Sequence, residues 1–170
     1  MAESNMIGRP GKYDIVIMRI FDAPRELVWQ AWTDPEHFKR WWGPKDYTAP
    51  FCEMDLRVGG KYLNCMRSPE GKDYWSTGVF REVLPPERLV YTDAFSDAEG
   101  NVVPATYYGL SADFPLEMLV TVIFEEYNGK TKLTLQHVGI SSGPESKGAE
   151  RGWRESLDKL ADILMGSEKS

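Results

Sequence analysis

Asn128-Gly129 separates two runs of alternating residues, 118–127 and 130–138, and a dipeptide that tolerates positive φ at both positions is the strongest short-range signal for a two-residue β-turn. Pairing outward from that turn predicts Phe124 opposite Leu133, Val122 opposite Leu135 and Val120 opposite His137, with Glu125 facing Lys132 and Thr121 facing Gln136 on the reverse side. One face of this hairpin is apolar and must be covered. Directly after it, residues 144–165 change to period 3.6: Ala149, Trp153, Leu157, Leu160, Ala161 and Leu164 form a stripe opposed by Glu150, Arg154, Asp158 and Lys159. A one-sided hairpin followed by one long amphipathic helix predicts an α+β domain in which a curved antiparallel sheet wraps that helix.

The upstream chain supplies the rest of such a sheet. Residues 13–21 read as a strand with Ile15, Ile17 and Arg19 on one face and Val16, Met18 and Ile20 on the other. Two short helices follow: Pro24 suits a first helical position, and Asp34-Pro35 repeats the device with an acidic N-cap. Their faces carry Leu27, Val28, Ala31 and Trp32, then Phe38, Trp41 and Trp42, before Gly43-Pro44 stops the second. Gly59-Gly60, read as a two-residue hairpin turn, pairs Val58 with Lys61, Leu56 with Leu63 and Met54 with Cys65; Cys52 then shares their face, and Glu53, Asp55, Arg57, Tyr62 and Asn64 take the other. Strands are expected over 75–84, ended by Pro85-Pro86, and over 89–95. The segment 96–117 has no sustained period and is longer than a compact domain usually leaves structureless, which suits a lid or binding loop. Residues 1–12 read as a loose tail, 13–166 as one domain and 167–170 as a frayed end.

Composition narrows the functional classes. A 170-residue chain with 42% hydrophobic residues holds one sizeable core. Its formal charge of −6 argues against nucleic acid or an anionic membrane as partner, because such binding rests on Lys and Arg neutralising phosphate. No apolar run approaches a bilayer span and the polar N-terminus has no hydrophobic signal segment, so the cytoplasm is the expected compartment. Cys52 and Cys65, the two cysteines, lack C-x-x-C spacing and agree with a reducing environment.

The fragments APRELVWQAWTDPEHFKRWWGP, DLRVGGKYLNCMRSPEG, GVFREVLPPERLVYTDAF and the terminal GWRESLDKL, in that order over residues 13–164, resemble the family named for the activator of the heat-shock-ninety ATPase. The resemblance implies the helix-grip fold of the START-like (SRPBCC) superfamily. Members of that superfamily hold apolar or amphipathic small molecules between sheet and terminal helix; some are cyclases, dehydratases or lipid carriers, and the founding member of the family stimulates a chaperone. That founding member has an additional N-terminal domain that these residues do not contain.

The candidate site follows from the apolar faces: a cavity bounded by Met54, Cys65, Phe80, Tyr91, Phe95, Val122, Leu135, His137, Trp153 and Leu157, with a packed core as the alternative. His137, on the apolar face near a strand end, and Asp93, in the run VYTDAF, are the candidates for an acid or base if the protein is an enzyme. The run Gly139 to Gly143, GISSG, matches a nucleophile elbow by pattern, but no histidine follows Ser141 to serve as base. Gly59-Gly60 precedes no helix and so cradles no phosphate, and the two histidines and two cysteines have no metal-ligand spacing; no cofactor or metal is expected. Trp41-Trp42 reads either as core or as an exposed patch for a chaperone partner, and the outer face of a half-open sheet offers a surface for a homodimer.

Overall fold

The computed structural model describes residues 15–112, 114–139 and 144–169, the side chains of 144–146 and 166–169 excepted. The tail 1–12 and most of the GISSG run lie outside the described residues. Seven strands, β1 (Ile15–Phe21), β2 (Thr48–Met54), β3 (Lys61–Arg67), β4 (Asp73–Leu84), β5 (Arg88–Ser96), β6 (Met118–Tyr127) and β7 (Lys130–Val138), form one antiparallel sheet in the order β1-β7-β6-β5-β4-β3-β2. The sheet curls as a half-barrel, the helix-grip arrangement. Helices α1 (Arg25–Thr33) and α2 (Pro35–Trp41) follow β1, and α3 (Pro144–Lys169) closes the chain, four residues past the end that its apolar period marks. No described helix is long and apolar enough to cross a membrane.

Where the turn is local, the register is as the turn chemistry dictates. Asn128 and Gly129 both adopt positive φ, and Phe124 faces Leu133, Val122 faces Leu135 and Val120 faces His137. β1 adds to the other side of β7, with Ile15 opposite His137 and Ile17 opposite Leu135. Its inner residues Ile15, Ile17 and Phe21 are buried, while Val16, Met18 and Ile20 face outward.

The β2–β3 connection differs from the sequence expectation. Met54 pairs with Tyr62, and Cys65 pairs with Phe51. The Gly59-Gly60 pair does not close a two-residue turn. Gly59 N–H donates to the Phe80 carbonyl and Phe80 N–H donates to the Gly60 carbonyl, so both glycines are drawn onto β4. Gly60 also lies so close to Asp55 that a Cβ there would sit 2.0 Å from the Asp55 carbonyl oxygen. The loop therefore takes up residues 55–60, and β3 slips by an odd number of positions, which exchanges its two faces. Tyr62, Asn64 and Met66 turn inward; Cys65 turns outward, beneath the Phe51 and Trp75 rings, whose centroids are 5.5 Å apart.

α1 and α2 close one end of the half-barrel. Asp34 caps α2 by accepting from Glu36 N–H at 3.0 Å, with Pro35 in the first turn, as its sequence predicts. Trp41 is fully buried, donating from Nε1 to the Ala31 carbonyl at 2.9 Å and packing on Trp32 with centroids 4.8 Å apart. Phe21, Trp29, Trp32 and Phe124 complete this aromatic end, and Leu157, Leu160 and Leu164 of α3 seal it against the sheet. Burial of each such leucine contributes about 1.5–3 kcal/mol.

Candidate functional site

The other half of α3 carries small side chains on its inward face. Gly148, Ala149, Gly152 and Ser156 do not reach the sheet, and between them and the inner surfaces of β3, β4 and β5 lies a cavity of about 550 Å³. That volume falls in the range of small-molecule pockets. Its walls are Met66, Tyr74 and Phe95 from the sheet, Met118 at the start of β6, Trp42 to Pro44 after α2, and Trp153 from the helix. The helix is held at this distance by its neighbours: Lys159 Nζ donates to the carbonyls of Pro44 and Tyr47 at 3.2 and 3.1 Å, and a Cβ on Gly152 would already touch the Pro44 ring at 3.3 Å.

The long segment after β5 forms the remaining wall. Its Ala105–Tyr108 portion is a 3-10 turn closed by Gly109 at φ +78°. The Tyr108 hydroxyl donates to the Ser96 carbonyl and accepts from Trp75 N–H, and Lys72 Nζ donates to the Tyr108 carbonyl at 2.9 Å. So anchored, the segment lays Leu110 and Phe114 along the cavity, with Phe114 edge-on to Phe95 at 5.8 Å.

Polar groups gather at the inner end. Trp153 Nε1 donates to His137 Nδ1 at 2.9 Å, and the imidazole is buried. Because the indole N–H can only donate, Nδ1 must present its lone pair, and the proton of the neutral ring sits on Nε2. That Nε2 is buried without a hydrogen-bond partner, 3.9 Å from Asp93 Oδ2. Burial pushes the His137 pKa down to about 4. Asp93 receives a hydrogen bond from the Tyr62 hydroxyl at 2.9 Å and one from Ala94 N–H; burial nonetheless outweighs them and raises its pKa to about 6. Tyr62 reaches Asp93 by lying across Gly78, where a Cβ would sit 2.7 Å from the ring and 1.8 Å from the Thr92 carbonyl oxygen. Asp93 also borders a second, inner chamber of about 20 Å³ walled by Trp42, Met54, Tyr62, Asn64, Phe80 and Tyr91, with room for about one water.

The residues singled out by sequence therefore divide three ways. Phe95, His137 and Trp153 line the large cavity, with Asp93 between the two spaces, and Met54, Phe80 and Tyr91 line the inner chamber. Val122, Leu135 and Leu157 border neither: each is fully buried in the packed end, where α1 and the lower half of α3 meet β6 and β7. Cys65 is on the opposite face of the sheet, a consequence of the β2–β3 slip. The Trp41-Trp42 pair is not an exposed patch, since Trp41 is core and Trp42 packs edge-on against Trp153 with centroids 5.0 Å apart. Residues that sequence reasoning missed include Tyr62 and Asn64, placed on the wrong face, and Gly148, Gly152 and Ser156. A small-residue stripe at positions 148, 149, 152 and 156 was the available signal for the last group.

Over residues 22–165 the chain matches the family described as Activator of Hsp90 ATPase homolog 1-like protein. An X-ray structure of a protein from Nitrosomonas europaea is 25% identical, with a TM-score of 0.76 over 94% of this chain and 99% of that one. The crystal structure of the AHSA1 protein from Silicibacter pomeroyi is 27% identical, with a TM-score of 0.73 over 91% and 99% of the two chains. A solution structure of a protein from Arthrobacter aurescens is 26% identical, with a TM-score of 0.75 over 91% and 87%. No curated protein matches the sequence.

Proposed function

The chain belongs to the Activator of Hsp90 ATPase homolog 1-like family, and on that premise we propose that it binds a small apolar or amphipathic molecule between the sheet and its terminal helix. The observation that carries this reading is the cavity of about 550 Å³, whose walls are largely aromatic and aliphatic and whose lining brings His137 and Asp93 side by side. Apolar burial supplies affinity in such a space, and convergent polar atoms fix orientation. The pinned segment around Leu110 and Phe114 is the natural cover for a bound molecule.

Two other roles draw less support. A base at His137 would need a free ring nitrogen, but Nδ1 is engaged by Trp153 and Nε2 carries the proton, so the ring is placed to donate rather than to abstract. A chaperone-directed role rests on the family name, and the tryptophan pair that sequence offered as its contact is turned inward.

Titration with Nile red, a neutral dye whose emission rises in apolar surroundings, tests the proposal. The protein is expected to bind it with one dominant site, and Ala149→Trp, which fills the cavity from the helix side, is expected to weaken binding at least about tenfold, the loss of a pocket-sized apolar contact. Binding unchanged in Ala149→Trp would place the dye elsewhere and remove the cavity as the site.

A further inference from the structure

We infer that the inner end of the cavity is built to receive a hydroxyl group, so that the ligand is an apolar alcohol or phenol rather than an acid, an ammonium or a plain hydrocarbon. This rests on the cavity being a ligand site and assigns the head group of what enters it.

A donor and an acceptor face one another there across a gap. His137 Nε2–H is a buried donor without a partner, and its hydrogen is fixed on that nitrogen by the Trp153 indole bonded to Nδ1. Asp93 Oδ2 stands 3.9 Å away, too far to accept from it directly, while Oδ1 is already engaged by Tyr62. An oxygen about 2.8 Å from each would bridge the gap. That atom must accept from Nε2–H and donate to the carboxylate.

A hydroxyl does both. A carbonyl oxygen satisfies His137 but sets its lone pairs against Asp93. An ammonium satisfies Asp93 but has no lone pair for Nε2–H. A ligand carboxylate meets Asp93 as a like charge, and among the described residues lining the cavity none is Lys or Arg to offset it. A hydrocarbon leaves the His137 Nε2–H buried and unpaired, which is the circumstance in which hydrogen-bonding sites discriminate most strongly. The surrounding aromatic walls, Trp42, Tyr74, Phe95, Phe114 and Trp153, suit a flat or bulky apolar body.

The test uses three probes of one shape, pyrene, 1-hydroxypyrene and 1-pyrenecarboxylate, each displacing Nile red from the unaltered protein at pH 7.5. Expected is 1-hydroxypyrene binding at least about tenfold tighter than pyrene, with the carboxylate weakest of the three. Asp93→Asn removes the charge but keeps an acceptor for Tyr62, and is expected to narrow the gap between carboxylate and hydrocarbon about tenfold. Displacement by all three within about threefold of one another, or tightest binding of the carboxylate, overturns the head-group assignment and leaves the cavity reading standing. Failure of Nile red to report the cavity at all overturns both. The probe series needs no variant, so its outcome does not depend on how well Asp93→Asn folds.

Discussion

One side of one helix is used in two ways. Toward its C-terminus, Leu157, Leu160 and Leu164 are buried against the sheet and the aromatic cluster of α1 and α2. Over the two to three turns before them, Gly148, Ala149, Gly152 and Ser156 stand off the same sheet and leave about 550 Å³. The backbone geometry is alike in both halves; side-chain volume is not. Stability is thus concentrated at the leucine end, where apolar surface is removed from water on both partners, and the cavity end is maintained by the Lys159 and Tyr108 anchors instead. A protein that separates its packed end from its open end can vary the lining of the second without dismantling the first.

The comparison breaks most visibly if the two ends respond alike to a change of volume. Leu157→Ala is expected to lower stability by about 2–5 kcal/mol in urea unfolding, because the sealed end cannot collapse around the void. Ala149→Trp, placed in open space, is expected to change stability by less than about 1 kcal/mol. Equal losses from the two substitutions would mean that the upper half is core after all.

Protonation sharpens the contrast, since the open end holds Asp93 and His137, whose pKa values burial shifts in opposite directions. The folded pKa of Asp93 is raised to about 6, so its contribution to stability is present below its unfolded value and is lost as pH rises through about 6. The folded pKa of His137 is lowered to about 4, so its contribution is present above its unfolded value and is lost as pH falls through about 4. Between about pH 4 and 6 the two slopes oppose one another. Asp93→Asn leaves the histidine slope alone: between pH 4.5 and 6.5 the variant is expected to gain about 2 kcal/mol relative to the unaltered protein. Parallel urea midpoints for the two proteins across that range would show that Asp93 titrates as an ordinary carboxylate.

The smallest effect is expected at the sealed end's rim. Asp34→Ala removes the side chain that accepts from Glu36 N–H and is expected to cost about 1 kcal/mol while leaving Nile red affinity unchanged. A loss of dye binding in that variant would mean that α2 and its Trp42 position the cavity more directly than the packing suggests.

The elements that sequence marked are the ones whose reasons are local. Asn128-Gly129 takes the backbone angles a two-residue turn demands, and every pairing from Phe124–Leu133 to Val120–His137 follows from it without help from the rest of the chain. The Asp34-Pro35 start of α2 and the leucine stripe of α3 are of the same kind, set by neighbours within one or two turns. Gly59-Gly60 is a similar dipeptide, but its hydrogen bonds go to Phe80 on another strand, and that long-range choice moved Tyr62 inward and Cys65 outward. The candidate site was legible to a smaller degree: His137, Trp153 and Asp93 could each be suspected from type and face, whereas Val122, Leu135 and Leu157 carry the same apolar pattern and are simply packed.

The class of fold, the sidedness of the last hairpin and the helix that covers it were thus written in the amino-acid order, because turn angles and hydrophobic period act between residues close along the chain. Which apolar residues seal and which stand open emerged only in three dimensions, as did the placing of an orphaned His137 N–H opposite Asp93. Those outcomes depend on how far one helix is held from one sheet, a distance set by contacts between residues more than a hundred positions apart, such as Lys159 and Pro44.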